Sequence, residues 1–188
     1  MTLPDPTRDA LLKQAVACRD LGSPFTAHLC ERLAVILDDT TRMGRAVCDW
    51  PLDPIASALG LQLCGALHMV VRAGRAPSLA RLYPPDADTG TALDAALRAT
   101  ISELGGDLVA LLDSAPQTNE VARSGVLMGG LLTIAAETGL PLALNEIGTS
   151  AGVNLHPDCY GYDLGAGRRW GPPDAPLTID CDWRGAAP

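Results

Sequence analysis

The chain has 188 residues, a formal net charge of −8 and a hydrophobic content of 47%, with a single Phe. This length suits one globular domain, or a helical domain joined to part of another. Its basic residues are thirteen arginines and one lysine, and they form no basic run. This acidic balance argues against unaided binding to nucleic acid or to an anionic membrane.

The first residues and the lengths of the apolar runs indicate whether the protein is secreted or inserted in a membrane. Residues 1–9 contain no basic stretch followed by an apolar one, so no secretory signal is visible. No uninterrupted apolar run approaches the ~20 residues that a bilayer-spanning helix needs. We therefore expect a cytoplasmic protein with no membrane segment.

The six cysteines form no Cys-x-x-Cys pair, and none of the three histidines lies at metal-finger spacing to them. Several of the cysteines lie among apolar residues at helical spacing, where a buried free thiol is ordinary. We therefore expect no metal site, and six reduced cysteines with structural roles.

In chain order, hydrophobic residues first recur at helical spacing in four segments, 7–21, 24–37, 54–72 and 92–112. Gly22 and Gly74 are placed to end the first and third of these helices. Gly105 and Gly106 interrupt the fourth, each at a cost of ~1 kcal/mol relative to Ala, which indicates a kink or two helices. The pattern predicts an N-terminal helical bundle over residues 1–115.

A polar stretch, Ser114–Glu120, then precedes a fifth apolar segment that runs to about Thr138. Thr118 or Asn119 can cap this helix. Asn119, Glu120 and Arg123 then fall within one turn, at spacings that make side chains neighbours. They form either a cap with a local Glu–Arg pair, or a polar cluster that faces the loop that follows.

Residues 140–155 read L-P-L-A-L-N-E-I-G-T-S-A-G-V-N-L. The apolar run before Glu146 predicts a buried strand, and Gly148, Ser150 and Gly152 predict a tight loop of small residues after it. Such loops let a ligand approach backbone N–H groups. A carboxylate inside an apolar run is costly to bury unpaired, so Glu146 is expected to contact a polar group.

Beyond this loop, residues 160–170 and 177–183 predict two short strands around a turn at Gly171–Asp174, a β-hairpin near 160–183. Only about 36 residues follow Gly152, whereas a doubly wound sheet needs several more β-α units. We therefore predict that residues 116–188 begin a Rossmann-like α/β domain, and that the sequence is truncated before its remaining strands.

The segment Glu146–Gly152 resembles the cofactor loop of class I S-adenosylmethionine-dependent methyltransferases. Their first strand commonly ends in an acidic residue followed by G-x-G-x-G, and here serine replaces the middle glycine. This resemblance implies an S-adenosylmethionine or nucleotide site in which Glu146 binds ribose hydroxyls. Gly148, Ser150 and Gly152 would permit close approach to the backbone. A polar end of the ligand would be held by Asn119, Glu120 and Arg123. No residue can be assigned as a catalytic base.

Three alternatives stay open. The same loop satisfies G-x-S-x-G with Ser150 as a nucleophile, but that fold needs several earlier strands and a histidine well downstream, where only His156 follows. The loop can also be a structural turn that lets a strand pack closely on a helix. As a whole, the chain can be a non-catalytic helical interaction module that retains a degenerate loop.

Six motifs in this order resemble a bacterial family of unknown function, the domain of unknown function 2332. They are R-D-L-G-S-P-F (19–25), G-A-L-H (65–68), A-G-R-A-P…L-Y-P (73–84), P-Q-T-N-E-V-A-R (116–123), E-I-G-T-S-A-G-V-N-L (146–155) and R-W-G (169–171). The resemblance covers essentially the whole chain. Members are typically much longer than 188 residues, which implies that this chain corresponds to their N-terminal portion. The family brings no established activity, so the expected small-molecule ligand rests on the loop alone.

Overall fold

The computed structural model describes residues 2–84, 91–113 and 120–182. The chain divides into two compact units, Met1–Pro116 and Gln117–Pro188. Within the described ranges the fold is mainly helical, with a small sheet near the C-terminus. The α-helices are α1 (Asp5–Asp20), α2 (Pro24–Ile36), α3 (Arg42–Cys48), α4 (Leu59–Arg72), α5 (Pro77–Ala80), α6 (Thr91–Leu111) and α7 (Arg123–Thr138). Two 3-10 turns, Val153–Leu155 and Pro157–Cys159, precede the strands β1 (Gly161–Asp163), β2 (Arg169–Trp170) and β3 (Thr178–Asp180).

Helices α1 to α6 surround one hydrophobic core in the first unit. The leucines that recur at helical spacing supply most of its fully buried side chains, among them Leu11, Leu33, Leu63, Leu67 and Leu97. Removing a leucine side chain from water stabilises the folded state by roughly 1.5–3 kcal/mol. These apolar helix faces explain the mainly helical fold, as the sequence pattern predicted.

The predicted ends of α1 and α4 are confirmed. After α1, the Gly22 N–H donates to the Arg19 carbonyl and the Ser23 N–H donates to the Cys18 carbonyl. The same pair of bonds follows α4, at Gly74 and Arg75. This is the Schellman arrangement, and it satisfies carbonyl groups that the end of a helix leaves free.

Helix α6 is unbroken, although Gly105 and Gly106 predicted a kink or two helices as one alternative. Both glycines lie against α3. A Cβ atom on Gly105 would lie 3.4 Å from the Met43 backbone nitrogen, and one on Gly106 would lie 3.2 Å from a guanidinium nitrogen of Arg42. An added Cβ atom on Gly105 would be in ordinary contact with α3, and one on Gly106 would meet the movable end of the Arg42 side chain, so packing does not require a glycine at either position.

Two boundaries differ from the prediction. The stretch between the predicted helical segments 24–37 and 54–72 contains α3, whose start is capped because the Gly44 N–H donates to the Thr41 hydroxyl. Helix α4 begins at Leu59 rather than at Pro54. The Asp53 carboxylate accepts hydrogen bonds from the backbone N–H groups of the second and third residues after it, which holds the chain in a turn before the helix starts.

In the second unit, β1 lies in the middle of a three-stranded sheet of order β2-β1-β3. It pairs antiparallel with β2 and parallel with β3, so Tyr162 is opposite both Trp170 and Ile179. Tyr162 and Ile179 form the core of this unit with Met128 of α7 and Leu164. A hairpin is present within residues 160–183, but its turn is not at Gly171–Asp174. The hairpin joins β1 to β2, and β3 returns parallel to β1.

The buried strand predicted before Glu146 is also absent from this sheet. Residues 140–146 have no regular secondary structure. Leu142, Leu144 and Ile147 are 40%, 39% and 104% exposed. A strand forms only when its backbone groups find a partner strand, and no ladder partner for this segment occurs in the described parts of the chain. The fold therefore contains a helix and a glycine loop in the predicted order, without a Rossmann-like sheet among the described residues.

None of the helices within the described ranges is both long enough and apolar enough to cross a membrane.

We expect the ion pair between α2 and α6 to stabilise the first unit. Arg32 donates from Nε and from a terminal guanidinium nitrogen to the two carboxylate oxygens of Asp94, at 2.7 and 2.5 Å, and both side chains are less than one-third exposed. The Arg32 bonds lower the pKa of Asp94. Arg32→Ala is expected to reduce the free energy of unfolding by about 1–2 kcal/mol at pH 7 in urea titrations.

The lowered pKa of Asp94 determines how the stabilisation by this ion pair changes with pH. Because the folded-state pKa of Asp94 is lowered, the stabilisation is fully present above the ordinary Asp pKa of about 3.9 and is lost as the pH falls through the folded-state pKa. Arg75→Ala is the matched control, since its pair with Asp107 is 48% and 55% exposed, and we expect a change of at most ~0.5 kcal/mol. Equal losses in the two variants would contradict the prediction.

Candidate functional site

The candidate site is the turn from Ile147 to Gly152. Positive φ angles occur at every second residue, with 73° at Gly148, 51° at Ser150 and 72° at Gly152. The Gly152 N–H donates to the Thr149 carbonyl at 2.8 Å, which closes the turn. Ser150 adopts a backbone conformation that residues with a side chain rarely take, so the surrounding structure holds a strained residue at an exposed position.

Gly148 borders open space. A Cβ atom built on this residue would meet no heavy atom within 4 Å, and one on Gly152 would meet only a Leu155 methyl carbon at 3.9 Å. Packing within the chain therefore does not require a glycine at position 148. The glycine at position 148 is explained instead by its positive φ angle and by the free volume in front of it.

Glu146 directly precedes the turn, and one of its carboxylate oxygens is buried. Its side chain is half-buried, and its Oε2 atom is buried without a hydrogen-bond partner among the residues that the structure describes. A buried carboxylate oxygen that accepts no hydrogen bond is costly. The expectation that Glu146 contacts a polar group is not met within the described part of the chain.

The segment after the turn is held from two sides. Ser124, in the first turn of α7, donates from Oγ to Asn154 Oδ1 at 3.1 Å, and both side chains are buried. The Tyr160 hydroxyl donates to the Val153 carbonyl and the Tyr162 hydroxyl to the Pro157 carbonyl, each at 2.8 Å. These three bonds fix the C-terminal end of the glycine turn relative to α7 and β1.

Burial raises the pKa of Tyr162 to about 12. Its hydroxyl is therefore protonated at neutral pH and remains a donor to the Pro157 carbonyl. The neighbouring Ser124 hydroxyl lowers this pKa, but burial outweighs it, so Tyr162 acts as a structural anchor.

The polar residues predicted at the start of α7 take different positions. The helix begins at Arg123 rather than at Asn119, and Asn119 itself lies outside the described residues. The Glu120 carboxylate accepts the Ala122 N–H at 3.1 Å, which is a local capping contact. Glu120 and Arg123 are exposed, and within the described ranges no ion pair joins them and no hydrogen bond links either to Glu146, Gly148, Ser150 or Gly152.

The alternative nucleophile, Ser150, lies near no base that the described residues supply by a hydrogen bond. In the described parts of the chain, no hydrogen bond joins Ser150 to a histidine or a carboxylate, and His156 is exposed. Across the same residues no group of three or more His, Cys, Asp or Glu side chains is arranged to hold a metal ion. The geometry around the turn thus supplies acceptors, exposed backbone and free volume, without an activated nucleophile.

An apolar groove of about 370 Å³ runs beside the turn within the second unit. Its walls include Leu132 of α7, Leu142 and Leu144 before the turn, Asp158, and Trp170 of β2. Asp158 is the charged residue among its lining side chains. The groove is lined mainly by apolar side chains, with the Asp158 carboxylate among them.

Sequence reasoning did not identify Ser124 and Asn154 as a pair. Each is a small polar residue at a buried position, and together they join two segments 30 residues apart. The available signal was the position of Asn154 directly after the turn. Nothing local identified its partner on α7.

The chain thus has the features of a mainly helical protein with a glycine turn anchored to a helix. Over residues 8–188 it matches the family model described as "Uncharacterized protein conserved in bacteria", the domain of unknown function 2332, and it belongs to this family. No curated protein and no solved structure matches the chain.

We expect the Ser124–Asn154 bond to determine the order of the turn. Asn154→Ala leaves the buried Ser124 hydroxyl without this acceptor, at a cost of about 1–3 kcal/mol. Hydrogen exchange of residues 148–160 is expected to accelerate more than that of α1 or α2. Asn145→Ala, an exposed asparagine in the same unit, is the control and should leave exchange unchanged. Unchanged exchange in both variants would show that the bond does not hold the turn.

Proposed function

We propose that the turn from Glu146 to Gly152 binds an S-adenosylmethionine-type or nucleotide ligand, as in methyltransferase-like proteins. In this proposal α7, the extended residues 140–146 and the turn correspond to the helix, first strand and loop that open a Rossmann-like domain. The chain's own residues would supply binding groups, and no catalytic base is assigned. The order of these segments along the chain supports the proposal.

The observation that carries the proposal is the buried, unpartnered Oε2 atom of Glu146. A carboxylate oxygen is an acceptor, so the missing contact is a donor such as a hydroxyl group. Vicinal ribose hydroxyls provide two donors at a spacing that one carboxylate can accept. A ligand with a ribose would therefore remove the cost of leaving this oxygen buried and unpaired.

The turn itself supports close approach by such a ligand. With positive φ angles at positions 148, 150 and 152, backbone N–H groups turn away from the regular directions of a helix or strand. Turns of this kind often form concave sites for anionic or polar groups. Gly148 leaves free volume in which a side chain would stand. The ligand's polar end would be held by Glu120, Arg123 and Asn119, which precede or begin α7.

The test of this proposal adds a side chain to that free volume without disturbing the backbone. Asn tolerates positive φ better than other residues with a Cβ atom, so Gly148→Asn should preserve the turn. Calorimetric titration with S-adenosylmethionine and S-adenosylhomocysteine is expected to show binding that Gly148→Asn weakens about tenfold or more, a loss of at least ~1.4 kcal/mol. Gly152→Leu and Glu146→Gln are expected to weaken binding as well.

Gly165→Asn is the matched control. Gly165 lies between β1 and β2, has a φ of 78° and also has no atom within 4 Å of an added Cβ. This variant should bind as the original chain does. Absence of binding by the unmodified protein, or equal affinities for Gly148→Asn and Gly165→Asn, would overturn the proposal.

A second candidate function, as an interaction module, is favoured by exposed apolar side chains in the same unit. Leu140, Leu142, Leu144 and Ile147 are all at least 39% exposed. In the described parts of the chain, no backbone–backbone hydrogen bond involves residues 141–147. An extended segment with free backbone groups can pair with another strand. Residues 140–145 carry no charge, so two copies can pair antiparallel without like-charge repulsion along this segment.

For this second candidate we expect concentration-dependent dimerisation in sedimentation velocity. Leu142→Lys places a charge on the paired segment and is expected to weaken self-association about tenfold. Leu52→Lys, at a position 61% exposed in the first unit, is the control and should associate as the original chain does. A single monomeric species at every concentration would count decisively against pairing of two copies.

A further inference from the structure

Two buried thiols lie in contact in the core of the first unit. Cys30 of α2 is 0% exposed and Cys64 of α4 is 7% exposed. Their Sγ atoms are 3.6 Å apart, and one thiol donates a hydrogen bond to the other. Both cysteines are reduced in this structure. The glycine turn lies in the other unit, so this pair is independent of the proposed ligand site.

We propose that Cys30 and Cys64 are a site of oxidative modification, at which a hydroperoxide converts the two thiols into an intramolecular disulfide that links α2 to α4.

The distance between the two sulfur atoms makes this bond accessible to small movements. A disulfide requires an S–S distance of about 2.05 Å, so the two sulfurs must approach by ~1.5 Å. Rotation about χ1 moves a sulfur atom by such distances without moving a helix. The two cysteines are already oriented toward each other, since their sulfurs form the hydrogen bond. Two helices separated by α3 in the sequence would thereby become covalently joined.

The hydrogen bond also prepares one sulfur for reaction. A bond donated by the Cys64 thiol favours the thiolate of Cys30 and lowers the pKa of Cys30, although burial opposes this change. The same bond and burial raise the pKa of Cys64. The thiolate is the nucleophilic form of cysteine. In the proposal Cys30 attacks the peroxide and Cys64 resolves the sulfenic acid, because the two sulfurs are in contact.

The disulfide forms in two chemical steps. The Cys30 thiolate attacks one oxygen of hydrogen peroxide, the S–O bond forms, the O–O bond breaks and hydroxide leaves, taking a proton to become water. Cys64 then attacks the sulfenic sulfur of Cys30, the S–S bond forms, the S–O bond breaks and a second water leaves with the Cys64 proton. Two thiols are oxidised and one peroxide is reduced to two waters.

The other cysteines differ from this pair in their surroundings. The Cys18 sulfur accepts a hydrogen bond from the Gln14 amide at 3.4 Å, and the Cys181 thiol is directed to the Ile179 carbonyl at 3.6 Å. Cys159 is exposed. Exposure makes Cys159 open to oxidation, but no thiol contact prepares it for an intramolecular disulfide. The pairing therefore predicts which disulfide forms.

The test uses the whole reduced chain, titrated with hydrogen peroxide and then denatured in iodoacetamide. Non-reducing peptide mass spectrometry is expected to find the Cys30 and Cys64 peptides linked, with about tenfold more of this linkage than of any other intramolecular pairing. Dithiothreitol should restore both thiols. Cys159→Ser, which removes an exposed thiol outside the pair, should give the same linkage. Cys64→Ser should abolish it and leave a sulfenic acid on Cys30 that dimedone labels.

Peroxide titration of the unmodified chain tests the proposal even if Cys64→Ser does not fold. A dominant disulfide that joins any other two cysteines would overturn the proposal. So would full alkylation of Cys30 and Cys64 at a peroxide dose that oxidises Cys159 completely.

Discussion

Close contact between α7 and β3 is the constraint on which the second unit depends. A Cβ atom on Gly125 would lie 3.0 Å from the Cys181 sulfur and 3.3 Å from an Ile179 methyl carbon, so a side chain at position 125 would require these two side chains to shift by a few tenths of an ångström. The absence of that side chain lets Met128, Tyr162 and Ile179 share one small core. It also places the start of α7 where Ser124 reaches Asn154, and this bond in turn positions the end of the glycine turn.

Around the turn, a buried polar atom has no hydrogen-bond partner among the described residues, and apolar side chains are exposed to solvent. The Glu146 Oε2 atom is buried and accepts no hydrogen bond among the described residues, whereas Ile147, the next residue, is fully exposed. The proposed ligand with hydroxyl donors would pair with the Glu146 oxygen. The proposed partner strand would cover the exposed apolar side chains. The two candidate functions therefore rest on different atoms of one segment. For this reason substitutions at Gly148 and at Leu142 separate them.

The first unit is held together mainly by apolar packing between its helices. Its leucine-rich helices share one continuous core, and the Arg32–Asp94 pair joins α2 to α6 with two parallel hydrogen bonds. Within this core the contact between Cys30 and Cys64 is the proposed site of disulfide formation. The surrounding packing keeps the two sulfurs close to each other, and rotation about χ1 would close the remaining distance.

The sequence by itself determined the mainly helical first unit, the ends of α1 and α4 and the family, because apolar periodicity, terminal glycines and ordered motifs are local properties of the chain. It also located the turn at Gly148–Gly152, where positive φ angles do occur. Only the tertiary structure decided that α3 lies against Gly105, that residues 140–146 join no sheet within the described chain, and that Asn154 is held by Ser124. Each of these depends on groups distant in sequence, and the contact between distant groups is set by packing, which no local pattern specifies.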